Sequence, residues 1–196
     1  MHRKLPLARR TALGLLAGLP VNLPARRASA TASMEVRQAE VLRAAEFADA
    51  QGSIHRLGEL TRPLVLVNLW AAWCAGCLAE MPTIRALTSR LIPEAIDVVL
   101  LSHDMNWQVD VAYVREAKLP FRHWRLSAQV PAAVVATSFR MERDRFALPQ
   151  SLVFAGRNRS LVSYFEGSQD WASAGQISRA RAWLVAAGQD AAVSPK

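Results

Sequence analysis

The chain is poor in the residues from which metal centres and covalent staples are built. It has two cysteines and four histidines in 196 residues. His2, His55, His103 and His123 stand singly, and a structural zinc site would want two more ligands at motif spacing beside the cysteine pair. Cys74 and Cys77 are three apart, so a disulfide between them closes a tiny loop and removes little entropy from the unfolded chain. The pair is therefore a poor staple and a good candidate for a redox couple. Long apolar runs are also missing: none reaches the roughly 20 residues a membrane-spanning helix needs. There is no internal repeat and no low-complexity tract.

Acidic residues are absent from the first 30 positions, which carry Arg3, Lys4, Arg9, Arg10, Arg26 and Arg27. Most of the net charge of +8 comes from there; the rest of the chain has 18 basic and 16 acidic residues. A nearly neutral body offers no electrostatic footprint for nucleic acid. The basic start, a short apolar run over 11–19 and the small residues Ala28, Ser29 and Ala30 read as a secretory signal peptide spanning 1–30. Arg9-Arg10 followed by Leu13 partly matches the twin-arginine type. A lead-in over 31–44, one domain over 45–188 and a flexible tail over 189–196 complete the expected layout.

Within the domain, Gln51-Gly52 marks a hairpin turn, with Leu57 and Leu60 as core anchors beyond it. Residues 64–70 (LVLVNLW) and 96–102 (IDVVLLS) are continuous apolar runs of the kind that form central strands. Between them, Leu78, Met81, Ile84, Leu87 and Leu91 repeat at helical spacing from Cys77 onward, with Pro82 expected to kink that helix. Strand, helix, strand at this spacing predicts a right-handed parallel unit. Further on, 109–118 and 131–140 read as helices, 121–126 as a strand, 151–155 and 161–165 as a hairpin, and 171–187 as a last helix. His123-Trp124 reads as strand surface, and His103-Asp104 ends the second strand as a weak metal candidate.

The sharpest feature is WAAWCAGC at 70–77, where a central strand gives way to a helix. The first turn of a helix presents unpaired N–H groups and partial positive charge, which stabilise a thiolate and lower its pKa. A thiolate is the attacking species in disulfide exchange. Cys74, at the helix start, is placed to attack a client disulfide; Cys77, one turn on and facing inward, is placed to resolve the mixed disulfide. Trp70 reads as core and Trp73 as lining the site. Gly76 leaves a backbone N–H near the sulfurs that could donate to the thiolate.

The segment LVNLWAAWCAGCLAEMP resembles the thioredoxin superfamily, and within it the TlpA/ResA-like extracytoplasmic thiol–disulfide oxidoreductases, over roughly 45–188. The resemblance implies an α/β, three-layer thioredoxin-like fold with a central mixed sheet. It also implies an N-terminal hairpin extension and a central insertion, matched here by the 51–52 turn and the stretch from 104 to 148. It places Asn68 where cytoplasmic thioredoxins carry a buried Asp, and Glu80 as a proton acceptor during resolution. It implies a cis bond at Leu148-Pro149, facing the sulfurs and leaving the Leu148 backbone free to pair with a client peptide. No cofactor is implied. The implied partners are protein clients and a membrane thiol electron donor; the implied setting is the periplasm, with the protein a monomer. Many relatives have Pro where Gly76 stands, which leaves electron flow open: the same residues could serve a disulfide oxidase. A binding module with idle thiols and a metallochaperone are the remaining alternatives. A peroxiredoxin is disfavoured, since Ala71 stands where that site would want Thr.

Overall fold

The computed structural model describes residues 42–91, 95–103, 106–126 and 147–193, with side chains through 188. The expected signal peptide, most of the expected lead-in, the expected 131–140 helix and much of the expected central insertion lie outside the described residues.

The apolar run at 64–70 becomes β3, Leu64–Trp70, buried along its whole length. Alternation along this strand assigns its two faces. Leu64, Leu66 and Trp70 join one core cluster, while Val65, Val67 and Leu69 join another on the opposite face. Asn68 shares the parity of Leu66 and Trp70, so a polar side chain points into the first cluster. β4, Ile96–Ser102, runs parallel to β3, and β5, Arg122–Leu126, runs parallel to β4. On the other side of β3, β6 (Gln150–Ala155) pairs antiparallel, followed by β7 (Ser160–Glu166). Two short strands, β1 (Phe47–Ala48) and β2 (Ile54–His55), form the expected hairpin around Gly52, whose φ of +84° is one glycine adopts without strain. The result is one seven-stranded mixed sheet ordered β2-β1-β5-β4-β3-β6-β7.

Among the described residues three longer helices accompany the sheet, two of them between its strands. α1, Ala75–Arg90, lays Cys77, Met81, Ile84 and Leu87 on the face that holds Leu66 and Trp70. It runs unbroken through Pro82, although that residue has no N–H to offer the preceding turn. α2 is Trp107–Glu116 and α3 is Ala174–Val193. α3 passes the expected stop at 187, because Ala191 and Ala192 continue to favour helix where Gly188 alone does not end it. On the opposite face of the sheet, Leu42, Leu57 and Leu60 pack with Val65, Val67 and Leu101.

One expectation fails. His123 and Trp124 are not strand surface: Trp124 is 3 % exposed, and the His123 ring packs against Trp70 and Trp107. Burial holds the His123 imidazole down at about pKa 4, so it is neutral at physiological pH. A histidine in a strand gives no sequence sign of which neighbours will cover it.

Candidate active site

β3 ends at Trp70, and four residues later Cys74 caps the N-terminus of α1. The cysteines are joined as a disulfide, with Cα atoms 5.2 Å apart. Cys74 is 8 % exposed and Cys77 is fully buried, so Cys74 alone of the pair has any surface at solvent. The donor that reaches Cys74 Sγ is the Cys77 N–H, at 3.1 Å. This follows from capping geometry in the oxidised pair: an N-cap side chain accepts from the N–H two or three residues into the helix. Trp70 is buried, and Trp73 is 64 % exposed beside the pair.

Pro149 opens the strand β6 next to β3, and its bond to Leu148 is cis. It faces the dipeptide of the CxxC: a Cβ added at Gly76 would meet Pro149 Cδ at 3.6 Å and Ser168 Cβ at 3.8 Å. These are ordinary contacts, so Gly76 leaves a small notch and no strain. Gly76→Ala fills it with a better helix former and is expected to stabilise the chain by about 0.5–1 kcal/mol in urea unfolding. A loss of stability would show the notch to be tighter than this.

Behind the sulfurs lies a buried acid. Glu80 is fully buried, one turn beyond Cys77 on α1. Its carboxylate accepts from Asn68 Nδ2 at 3.2 Å, from the Gln169 N–H at 3.3 Å and from Trp171 Nε1. Burial outweighs these three donors and pushes its pKa up to about 7. Asn68 Nδ2 also donates to Ser151 Oγ at 2.9 Å, across the β3–β6 register pair. Asn68 is thus wired to the acid and to the neighbouring strand.

The loop before α3 closes the site from the far side. Ser168 Oγ donates to the Gly76 carbonyl at 3.1 Å, the Gly167 N–H to the Pro149 carbonyl at 2.9 Å, and the Trp171 N–H to Thr83 Oγ1 at 3.2 Å. Sequence reasoning missed Ser168, Gln169 and Trp171, because nothing local marks a loop 90 residues away as a partner of α1. The structure thus brings Cys74, Cys77, Glu80, Leu148 and Pro149 to one end of β3, with Trp73 at the rim. His103 contributes its N–H to the Trp70 carbonyl at 2.9 Å. Among the described residues no three His, Cys, Asp or Glu side chains form a metal-holding group, and no helix is long and apolar enough to cross a membrane.

No protein-family model matches the chain. Among curated proteins it is similar to the thiol-disulfide oxidoreductase ResA of Oceanobacillus iheyensis, 32% identical over 66 residues, about a third (34%) of each chain. Among solved structures it is similar to a thioredoxin-related protein from Neisseria meningitidis, with a TM-score of 0.56 and 19% identity, covering 70% of this chain and 99% of that one. A secreted Mycobacterium tuberculosis disulfide oxidoreductase, described as homologous to E. coli DsbE, matches with a TM-score of 0.54 and 13% identity, covering 71% and 98%. Fold and site together define the class by architecture: a thioredoxin-like fold carrying a CxxC disulfide at the end of its central strand. Within that class the chain is ResA-like in sequence over the matched third.

Proposed function

We propose that the chain is an extracytoplasmic protein-disulfide reductase. The observation that carries the exchange chemistry, in either direction, is the asymmetry of the pair: Cys74 keeps some exposure at a helix N-cap, while Cys77 is buried one turn from an acid with a pKa of about 7. In the reduced protein the Cys74 thiolate, favoured by the helix N-terminus, attacks a client disulfide. A Cys74–client bond forms and the client's first sulfur leaves as a thiolate. Cys77 then gives its proton to Glu80 and attacks Cys74 Sγ, which releases the second client thiolate and restores the Cys74–Cys77 disulfide. Two electrons pass to the client. An acid with a pKa near neutrality suits that acceptor role.

The client is a protein segment in extended form, paired with the Leu148 backbone beside Pro149 and packed on Trp73. A thiol donor at a membrane returns the electrons, the periplasm is the setting, and the chain acts as a monomer. Similarity to ResA, a thiol-disulfide oxidoreductase, supports exchange chemistry in either direction. Gly76 favours the opposite reading, an oxidase, if it stabilises the reduced form. The reduction potential separates the two. Equilibrated in dithiothreitol and glutathione buffers and followed by tryptophan fluorescence, a reductase lies near the roughly −270 mV of thioredoxin; a value near about −120 mV makes the chain an oxidant.

A further inference from the structure

Among the described residues the mechanism above leaves two buried carboxylates unused: Asp97, which pairs with Arg62 and Arg122, and Asp110. Asp110, in the first turn of α2, is fully buried. Its Oδ1 accepts from the Ala72 N–H at 2.6 Å, and its Oδ2 accepts from Ser102 Oγ. Ala72 lies in the loop that carries the chain from β3 to Cys74. Ser102 is the last residue of β4 and sits opposite Trp70 in the parallel register. One side chain thus ties the active-site loop to the end of the neighbouring strand.

The rest of that loop is held in series with this contact. The His103 N–H donates to the Trp70 carbonyl at 2.9 Å, the Cys74 N–H to the Ala71 carbonyl at 3.1 Å, and the Leu78 N–H to the Cys74 carbonyl at 3.1 Å. The first fixes where the chain leaves β3, the second closes the turn before the helix, and the third begins the helix. Between them, Ala72 has its N–H pinned by Asp110. A loop fixed in this way holds a reacting group with little freedom to lose. The contact is also costly to remove, since a buried N–H without an acceptor is destabilising.

We propose that Asp110 is a positioning residue for exchange at Cys74: by joining the Ala72 N–H to Ser102 it sets the loop that delivers the Cys74 sulfur to the helix N-cap. This rests on exchange at Cys74 and is independent of the direction of electron flow. No local pattern in the sequence announces it, because Asp110 lies 38 residues from the loop it holds.

The test compares the full chain with Asp110→Asn, Asp110→Ala and Ser102→Ala. Each reduced protein is alkylated with iodoacetamide across a pH series, read by mass, and its exchange rate with glutathione disulfide is measured. Folding is checked by circular dichroism. Asp110→Ala is expected to lower the exchange rate at least about tenfold and to move the midpoint of the Cys74 alkylation profile. Asp110→Asn keeps an oxygen for the Ala72 N–H and is expected to restore most of the rate. A folded Asp110→Ala with wild-type rate and profile overturns the proposal, and so does an Asp110→Asn as impaired as Asp110→Ala. If Asp110→Ala does not fold, Ser102→Ala decides: a smaller change in the same direction supports the proposal, and a wild-type profile overturns it. A wild-type chain that exchanges with no disulfide defeats the reading of function instead, while the alkylation profiles still judge the loop.

Discussion

Cys74→Ser is expected to abolish thiol–disulfide exchange, lowering the rate of insulin-disulfide reduction by at least about a thousandfold, because a hydroxyl at neutral pH supplies no counterpart to a thiolate. The fold should survive the change. The disulfide closes so short a loop that its loss releases little chain entropy. Serine is a favoured N-cap residue, so the hydrogen bond from the Cys77 N–H keeps an acceptor. The expected result is a protein with near wild-type circular dichroism and urea midpoint and no activity. Retained exchange would place the chemistry elsewhere. Loss of the fold along with the activity would make the cysteine structural.

The second large effect is a pH dependence that belongs to Glu80. Its folded pKa, about 7, stands above the ordinary value of 4.5. Between these two values the folded state holds a proton that the unfolded chain has released. The stabilisation is therefore fully present below pH 4.5 and is lost as pH rises through about 7. A shift of this size corresponds to roughly 3 kcal/mol. Urea unfolding of the oxidised chain from pH 4 to 8 should show that decline, and Glu80→Gln, which cannot titrate, should flatten it. Parallel curves would contradict the burial account. The same group gives the kinetic profile its sign. Glu80 must be ionised to take the Cys77 proton, so resolution is expected to quicken through about pH 7 in the wild type and to lose that step in Glu80→Gln.

The central part of the fold was legible because two seven-residue apolar strands and the helix between them are written locally. β3 and β4 begin and end where their apolar runs do. The cysteine pair was legible for the same reason, since strand, turn and helix start are contiguous. The surroundings of the pair were not. Glu80 draws its partners from β3, from the Gln169 backbone and from Trp171, which lie 12, 89 and 91 residues away in the chain. Nothing around Asn68 in the sequence shows that its Nδ2 holds the acid while its Oδ1 finds no partner among the described residues. Arg159 lies in the turn between the strands of the 151–165 hairpin. It is 4 % exposed at a φ of +52°, and donates to the carbonyls of Leu60, Arg62 and Gly156, closing the end of the sheet away from the cysteines. Periodicity shows which face of an element is buried. Which distant polar atom meets a buried one is settled only when the strands are set in order.

Trapping the intermediate tests the account most directly. A reduced Cys77→Ser chain, mixed with an excess of oxidised insulin or another protein disulfide and digested for mass analysis, should carry the client on Cys74 as a stable mixed disulfide. The wild type under the same conditions should carry none and should return to the Cys74–Cys77 disulfide. Absence of an adduct on Cys74 in the variant, with its thiol free and the protein folded, would contradict the assignment of Cys74 as the attacking sulfur and with it the proposed reaction.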